Sequence, residues 1–258
     1  MQIFDCFPFW RELDVLKLRL EILKPLNAIH VLVEAPISHT GDPKPLYFKE
    51  NAQLFSEYNI RHIVTDLPNK GDAWENENKQ RDAIIMGLYD ANDEDLVIVS
   101  DLDEIPKPES ILEFIPDKMV VAALKMNHYT YYLNCQQCIQ CWEMARLTTF
   151  EYLKTTTPNR LRQDGFKTIM LNAGWHLSWM GGIDRIMDKF FSYAHTESCT
   201  SANTDRDALI EKLNTGESLW SNGNKNDLWP FVPIDDSFPK YIRDNEQQLI
   251  EKGLIKPL

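Results

Sequence analysis

Four consecutive apolar residues, Leu96, Val97, Ile98 and Val99, run into three carboxylates within four positions, Asp101, Asp103 and Glu104. A short apolar run bounded by polar residues fits a strand buried on both faces, as in a parallel α/β sheet. Pro106 then stops regular pairing. In open α/β sheets, ligands bind outside the carboxyl ends of the strands, so Asp101 and Asp103 stand where a ligand would stand. Two residues apart, they point to one side if the backbone is locally extended. Carboxylates this close repel each other unless a proton or a cation intervenes. A hard divalent ion with oxygen ligands, Mn²⁺ or Mg²⁺, answers that need and would hold phosphate oxygens in turn. A D-x-D tripeptide is common, however, and also suits a solvated acidic turn, so its surroundings have to decide.

Those surroundings alternate strand and helix patterns. Residues 3–7 read as a strand, residues 12–26 as an amphipathic helix with Leu13, Leu16, Leu20 and Leu23 at three- and four-residue intervals, and residues 28–35 as a second buried strand. A loop over 37–45 follows, then a helix over 46–58, a strand over 60–67, a helix over 74–89 and the strand over 95–100. This βαβαβαβ order predicts a mostly parallel sheet flanked by helices. Beyond Pro106 the pattern changes. Residues 119–133 form a long strand-like segment, and helical stretches are expected at 182–194, 205–214 and 240–252. With 258 residues and no repeat or clear linker, one domain is the simplest reading, a nucleotide-type half (1–106) followed by an aromatic-rich half (107–258).

A net charge of −12 argues against sequence-independent nucleic-acid binding, which needs a cationic footprint. No stretch approaches the ~20 apolar residues of a membrane-spanning helix, and the start lacks a signal peptide's order. A cytoplasmic setting is therefore expected. Five cysteines without a secretion signal favour reduced thiols. Cys135, Cys138 and Cys141 have a metal-like spacing but lack the fourth ligand of a closed zinc site.

Several groups could serve a ligand at the strand ends. On the helix over 74–89, Arg81 and Asp82 share a face with Asn78 and could hold ribose or pyrophosphate, although Arg81 could also pair with Glu77 four residues earlier. Glu34 ends a strand and could accept from ribose or a base, with Lys44 or Lys49 approaching phosphate. In Gly174-Trp175-His176-Leu177-Ser178-Trp179, tryptophans suit the apolar faces of a sugar, and a neutral histidine can ligate a divalent ion or sit hydrogen-bonded in the core. Asp184, Glu143 and His195 are candidate bases for activating a hydroxyl.

These segments in this order, Ile3-Phe4-Asp5, Glu12-Leu13-Asp14, Val33-Glu34-Ala35, Gln80-Arg81-Asp82, Ser100-Asp101-Leu102-Asp103-Glu104-Ile105-Pro106 and Gly174-Trp175-His176-Leu177-Ser178-Trp179, resemble glycosyltransferase family 17. That is the family of the β-1,4-mannosyl-glycoprotein 4-β-N-acetylglucosaminyltransferase, and the likeness runs over roughly residues 3–195. The resemblance implies a GT-A-type (Rossmann-like) fold and inverting transfer of GlcNAc from UDP-GlcNAc to a glycan, with Mn²⁺ or Mg²⁺ as cofactor. It places Asp101 and Asp103 on the D-x-D, Arg81 and Asp82 on the preceding helix motif and His176 on the G-W-H. Joined to the reading of the residues, Asp103 would ligate the ion with Asp101 and His176 beside it, and Glu34, Arg81, Asp82, Asp101 and Lys44 would surround the donor. Trp175, Trp179 and Tyr131 would then hold the acceptor, and Asp184 or Glu143 would take its proton. The chain departs from the animal enzyme in lacking its anchor and stem, so a microbial or viral glycan is the expected acceptor. The alternatives are a metal-dependent nucleotidyltransferase and a non-catalytic carbohydrate-binding domain of degenerate transferase origin.

Overall fold

The computed structural model describes residues 1–68, 72–116, 120–163, 165, 168–221 and 228–258, and of residues 138–140 the backbone only. Its strands in chain order are β1 (Ile3–Pro8), β2 (Ile29–Glu34), β3 (Ile60–Val64), β4 (Leu96–Val99), β5 (Glu104–Pro106), β6 (Val121–Leu124), β7 (Met126–Thr130), β8 (Gln136–Trp142), β9 (Arg146–Thr149), β10 (Thr168–Met170) and β11 (Gly174–Ser178). The helices include α1 (Leu13–Leu23), α2 (Tyr47–Asn51), α3 (Ala73–Asp82), α4 (Pro108–Leu112), α5 (Phe150–Leu153), α6 (Pro158–Gln163), α7 (Gly182–Ser192) and α8 (Arg206–Thr215). Helices Lys240–Asp244 and Glu246–Glu251 follow near the C-terminus.

Seven strands form one sheet in the order β10-β6-β9-β4-β1-β2-β3, in which β9 runs antiparallel to its neighbours β4 and β6. The other pairings are parallel. Strand β4 shows why its sequence is an unbroken apolar run. Side chains alternate across a strand, and Leu96 and Ile98 enter one hydrophobic core while Val97 and Val99 enter another on the opposite face. Helix α1 covers the first face with Val15, Leu16 and Leu20, and Ala83, Ile84, Leu153 and Leu161 cover the second. This is the expected α/β domain with a mostly parallel sheet between helices. Among the described residues, no helix is long and apolar enough to cross a membrane.

The strand-like segment 119–133 divides between two sheets. Strand β6 belongs to the large sheet, whereas β7 belongs to a smaller one ordered β5-β11-β7-β8. The polar Lys125 marks the switch, and its backbone stays bonded on both sides, to Met170 O at 2.9 Å and from Ala173 N at 2.8 Å. Both backbone groups of Lys125 are thus satisfied across the change of sheet. Two expected helices are shorter than their periodicity suggests, since α2 and α3 tighten into 3₁₀ turns at Ala52–Phe55 and Ala83–Gly87. At the second turn the chain closes on β2, where a Cβ on Gly87 would lie 2.3 Å from Val31 Cγ1. The stretch expected as a helix over 240–252 is broken at Asn245.

Candidate active site

The carboxyl end of β4 opens into a cavity of about 700 Å³, within the range of small-molecule sites. Asp101, Leu102 and Asp103 all touch it, with Leu102 mostly buried and packed into the core. The acidic turn is clamped from below by Arg19 of α1, which is fully buried. One terminal nitrogen, Nη1, donates to the carbonyls of Asp101, Leu102 and Glu104 at 2.9, 3.1 and 2.8 Å. The other, Nη2, reaches Ser100 Oγ and Asp5, and Asp5 also bonds His30 Nδ1 at 2.8 Å. A buried guanidinium persists only when paired and fully hydrogen-bonded, and here its partners are the site's own backbone. Burial opposes ionisation of Asp5, but Arg19 and His30 outweigh it and hold the carboxyl well below the usual range.

The two aspartates have opposite environments. Asp101 accepts from Arg81 Nη2 at 2.9 Å through one oxygen and from Arg162 Nη2 of α6 at 2.7 Å through the other. Burial would raise its pKa, yet the two guanidinium groups drive it well below the carboxylate range. Arg162 also binds both oxygens of Glu104, whose carboxylate accepts the Trp142 indole N–H. Among the described residues Asp103 has no guanidinium partner. Its Oδ1 lies 3.7 Å from His176 Nε2 and its Oδ2 lies 3.5 Å from Lys189 Nζ. Burial pushes its pKa up to about 7, against the pull of Lys189 and with help from Asp101, Glu104 and Glu12.

His176 is carried by β11, opposite His128 of β7. Burial lowers its pKa to about 4, so the ring is neutral, and its Nδ1 is buried without a hydrogen-bond partner among the described residues. The ring packs against Trp142, at 4.4 Å between centroids, and against His128, at 4.5 Å, two rings that are themselves 5.9 Å apart. Gly174 starts this strand because β5 leaves no room for a side chain, a Cβ there meeting Ile105 O at 2.3 Å. Strand β11 ends at Trp179, which takes a left-handed φ of 57° and lines the cavity. An aromatic residue held in that region is strained and persists only where its surroundings fix it. Phe190, Tyr193 and Trp220 do so, at 4.9, 5.5 and 6.1 Å between ring centroids.

Of the expected ligands Asp101, Asp103 and His176, Asp101 already has an arginine bonded to each oxygen, which leaves Asp103 and His176 as the pair that would more readily take a divalent ion. No group of three His, Cys, Asp or Glu that could hold a metal occurs among the described residues. A carboxylate and a neutral imidazole suit an ion whose remaining positions are filled by substrate phosphate and water, as is usual for Mg²⁺.

The remaining sequence-derived candidates fall in different places. Gln80, Arg81 and Asp82 each hold a different part of the site. Gln80 donates to Phe9 O and Val33 O at the ends of β1 and β2, and Asp82 accepts the Asn159 N–H at 2.7 Å, fixing the start of α6. Lys44 lines the cavity. Glu34 lies fully buried, with its carboxylate engaged by Phe48 N–H and His62 at 3.0 Å each. Trp175 and Tyr131 do not face the cavity. Trp175 packs in the main core and Tyr131 in a separate one, its hydroxyl donating to Glu217 O. Period-two alternation explains Trp175, because His176 and Ser178 line the cavity and their neighbours Trp175 and Leu177 must face the other way. Asp184 is exposed and paired with Arg206 at 2.7 Å, and Glu143 is paired with Lys125 at 3.2 Å, both outside the cavity lining. His195 lies in the lining, against Trp74. Cys135 is a buried thiol, Cys141 is exposed, and the side chain of Cys138 lies outside the described residues.

The sequence assigns no site role to Arg19, Arg162 or Lys189, and marks Glu12 only as part of the family-like segment Glu12-Leu13-Asp14. Arg162 and Lys189 lie on short amphipathic helices, where a basic residue ordinarily faces solvent, and only the fold brings them to the acidic turn.

Solved structures with some likeness include S. aureus TarS 1-349, with a TM-score of 0.41 and 14% identity, covering 83% of this chain and 74% of that one. A 4-diphosphocytidyl-2C-methyl-D-erythritol synthase has a TM-score of 0.39 and 13% identity, covering 70% and 90%. S. aureus TarS 1-349 in complex with UDP gives 0.36 and 11%, covering 98% and 79%. Likeness at this level carries no conclusion about function. No curated protein sequence matches the chain. The sequence profile of glycosyltransferase family 17, in contrast, matches residues 1–222, nearly all of the site included. The chain is a member of glycosyltransferase family 17, and hence a glycosyltransferase.

Proposed function

We propose that the protein transfers GlcNAc from UDP-GlcNAc to a glycan hydroxyl with inversion at the anomeric carbon, using Mn²⁺ or Mg²⁺ held by Asp103 and His176. The observation that carries this reading is the pairing of Asp103 with a neutral His176 at the mouth of β4, inside a cavity large enough for a nucleotide-sugar. When bound, the ion would offset negative charge on the departing diphosphate.

The chain's own groups divide the remaining work. Arg81 and Arg162 fix Asp101 so that its carboxylate stays ionised and oriented toward the donor. Arg19 holds the turn's carbonyls and so sets where Asp103 points. Trp142 and Trp179 present aromatic walls suited to the C–H faces of sugars. The acceptor proton needs a carboxylate in the cavity, which Asp184 and Glu143 do not supply. Of the described cavity carboxylates, Glu77, Asp101 and Asp103 are ion-paired, whereas Glu12 accepts only the Arg11 N–H at 3.0 Å. Glu12 is therefore the proposed base. As the acceptor oxygen bonds to the anomeric carbon, its proton passes to Glu12, and the bond to the β-phosphate oxygen breaks with its electron pair staying on UDP.

The test is a nucleotide-sugar panel with Mn²⁺, measuring UDP release and glycan product with and without chelator and in Asp103→Asn. UDP-GlcNAc turnover that the chelator and the substitution both abolish supports the reading. Turnover indifferent to both removes the ion, and release of pyrophosphate from a nucleoside triphosphate supports the nucleotidyltransferase instead.

A further inference from the structure

We infer that Lys189 of α7 binds the β-phosphate of the nucleotide and stabilises it as the sugar departs. This rests on the UDP-sugar reading and assigns a second cation to the same site. Lys189 lines the cavity, and its ammonium sits 3.5 Å from Asp103 and 5.0 Å from the Trp179 ring centroid. The other cations of the cavity floor are committed elsewhere. Arg81 and Arg162 grip Asp101, with Arg162 also on Glu104. Lys44, for its part, lies 3.9 Å from the buried Glu34.

Lys189 differs from Lys44 in place: both ion pairs are long, but that of Lys189 is with Asp103 of the acidic turn itself. Its contact with Asp103 is a long ion pair, which leaves donors on the ammonium for a further oxygen acceptor. An ion on Asp103 would repel the ammonium and compete for the same carboxylate, so a phosphate oxygen beside that carboxylate is the partner that lets both cations stay. The diphosphate gains a further negative charge when its bond to the anomeric carbon breaks, so a fixed ammonium there favours the transition state over the bound donor. The helix that carries Lys189 is pinned across the site. Arg11 pairs with Asp188, and Arg185 lies 3.7 Å from Asp14. These contacts tie α7 to α1 and its N-terminal approach, holding the ammonium over the acidic turn.

The decisive comparison is between UDP and UMP, which differ by the β-phosphate. Their affinities are measured by calorimetry with saturating Mn²⁺ for the wild type, Lys189→Met and Lys189→Arg, with thermal unfolding confirming that each variant is folded. Lys189→Met is expected to weaken UDP by about tenfold or more and UMP by less than about threefold, and Lys189→Arg to keep UDP within about threefold. The same Met variant should lower kcat for the donor, since the charge it removes matters most as UDP forms. Equal weakening of UDP and UMP, or UDP affinity unchanged in Lys189→Met, overturns the assignment. A wild type that binds neither nucleotide overturns instead the donor reading on which it rests.

Discussion

Replacing Asp103 by asparagine should make the ion-free protein more stable at alkaline pH while abolishing its response to Mn²⁺. A carboxyl whose pKa stands at about 7 rather than 3.8 in the fold favours the protonated form. Its contribution is fully present below the unfolded value and is lost as pH rises through the folded one. At about 1.4 kcal/mol per pH unit, ionisation of Asp103 costs the fold up to roughly 4 kcal/mol by pH 8. The attraction of Lys189 is already contained in that value. Asparagine keeps the shape and cannot ionise, so the two proteins should match near pH 4 and diverge between pH 4 and 8. With relaxation and water entry taken into account, a gain of about 1–4 kcal/mol is expected, roughly 3–12 °C in melting temperature for a chain of this size. Thermal unfolding in chelator from pH 4 to 9 reads it directly. Adding Mn²⁺ at pH 8 should raise the melting temperature of the wild type and leave the variant unmoved. An Asp103→Asn protein less stable than the wild type at pH 8, or a difference independent of pH, refutes the reasoning.

Three further outcomes follow from other contacts. Glu12→Gln should lower kcat by about 10²–10⁴-fold with UDP affinity unchanged by calorimetry, as expected for a lost proton acceptor; near-normal turnover removes it as the base. Arg162→Met strands the buried carboxylate of Glu104 and takes one of two arginines from the half-buried Asp101, and should cost about 3–5 kcal/mol in chemical denaturation at pH 7. That loss should shrink at low pH, where the stranded carboxylate can take up a proton. Gly174→Ala drives a Cβ toward Ile105 O and should destabilise by about 1–3 kcal/mol, with donor affinity falling as His176 shifts.

The sequence made the donor edge of this protein readable because its signals there are local. The run Leu96 to Val99 showed a strand buried on both faces, and the structure puts its alternate side chains in two different cores. Asp101 and Asp103 both reach the cavity, but from a hydrogen-bonded turn rather than an extended backbone, with the Glu104 N–H donating to Asp101 O at 3.0 Å. What the D-x-D could not show was that its two members differ. Arg81 and Arg162 come from helices 20 and 61 residues away in sequence, and no spacing rule joins Arg162 to the acidic turn. Trp175 was legible but misassigned, since alternation with His176 already placed the two on opposite faces. Tyr131 needed the tertiary fold, because residues 119–133 look like one strand and become two strands in two sheets. Asp184 and Glu143 were drawn from neighbourhood in sequence to glycine and tryptophan motifs, and their nearest charges in the fold are Arg206 and Lys125.

The central claim is that one ion-binding carboxylate, Asp103, holds the donor's diphosphate in the cavity beyond β4. The most direct measurement is a crystal structure with UDP and Mn²⁺, with the manganese located by its anomalous signal. The expected result is one peak between Asp103 and His176, bonded to diphosphate oxygens, with Asp101 still held by Arg81 and Arg162. Manganese seated on Asp101 with its arginines displaced, or UDP bound away from this cavity, would contradict the account.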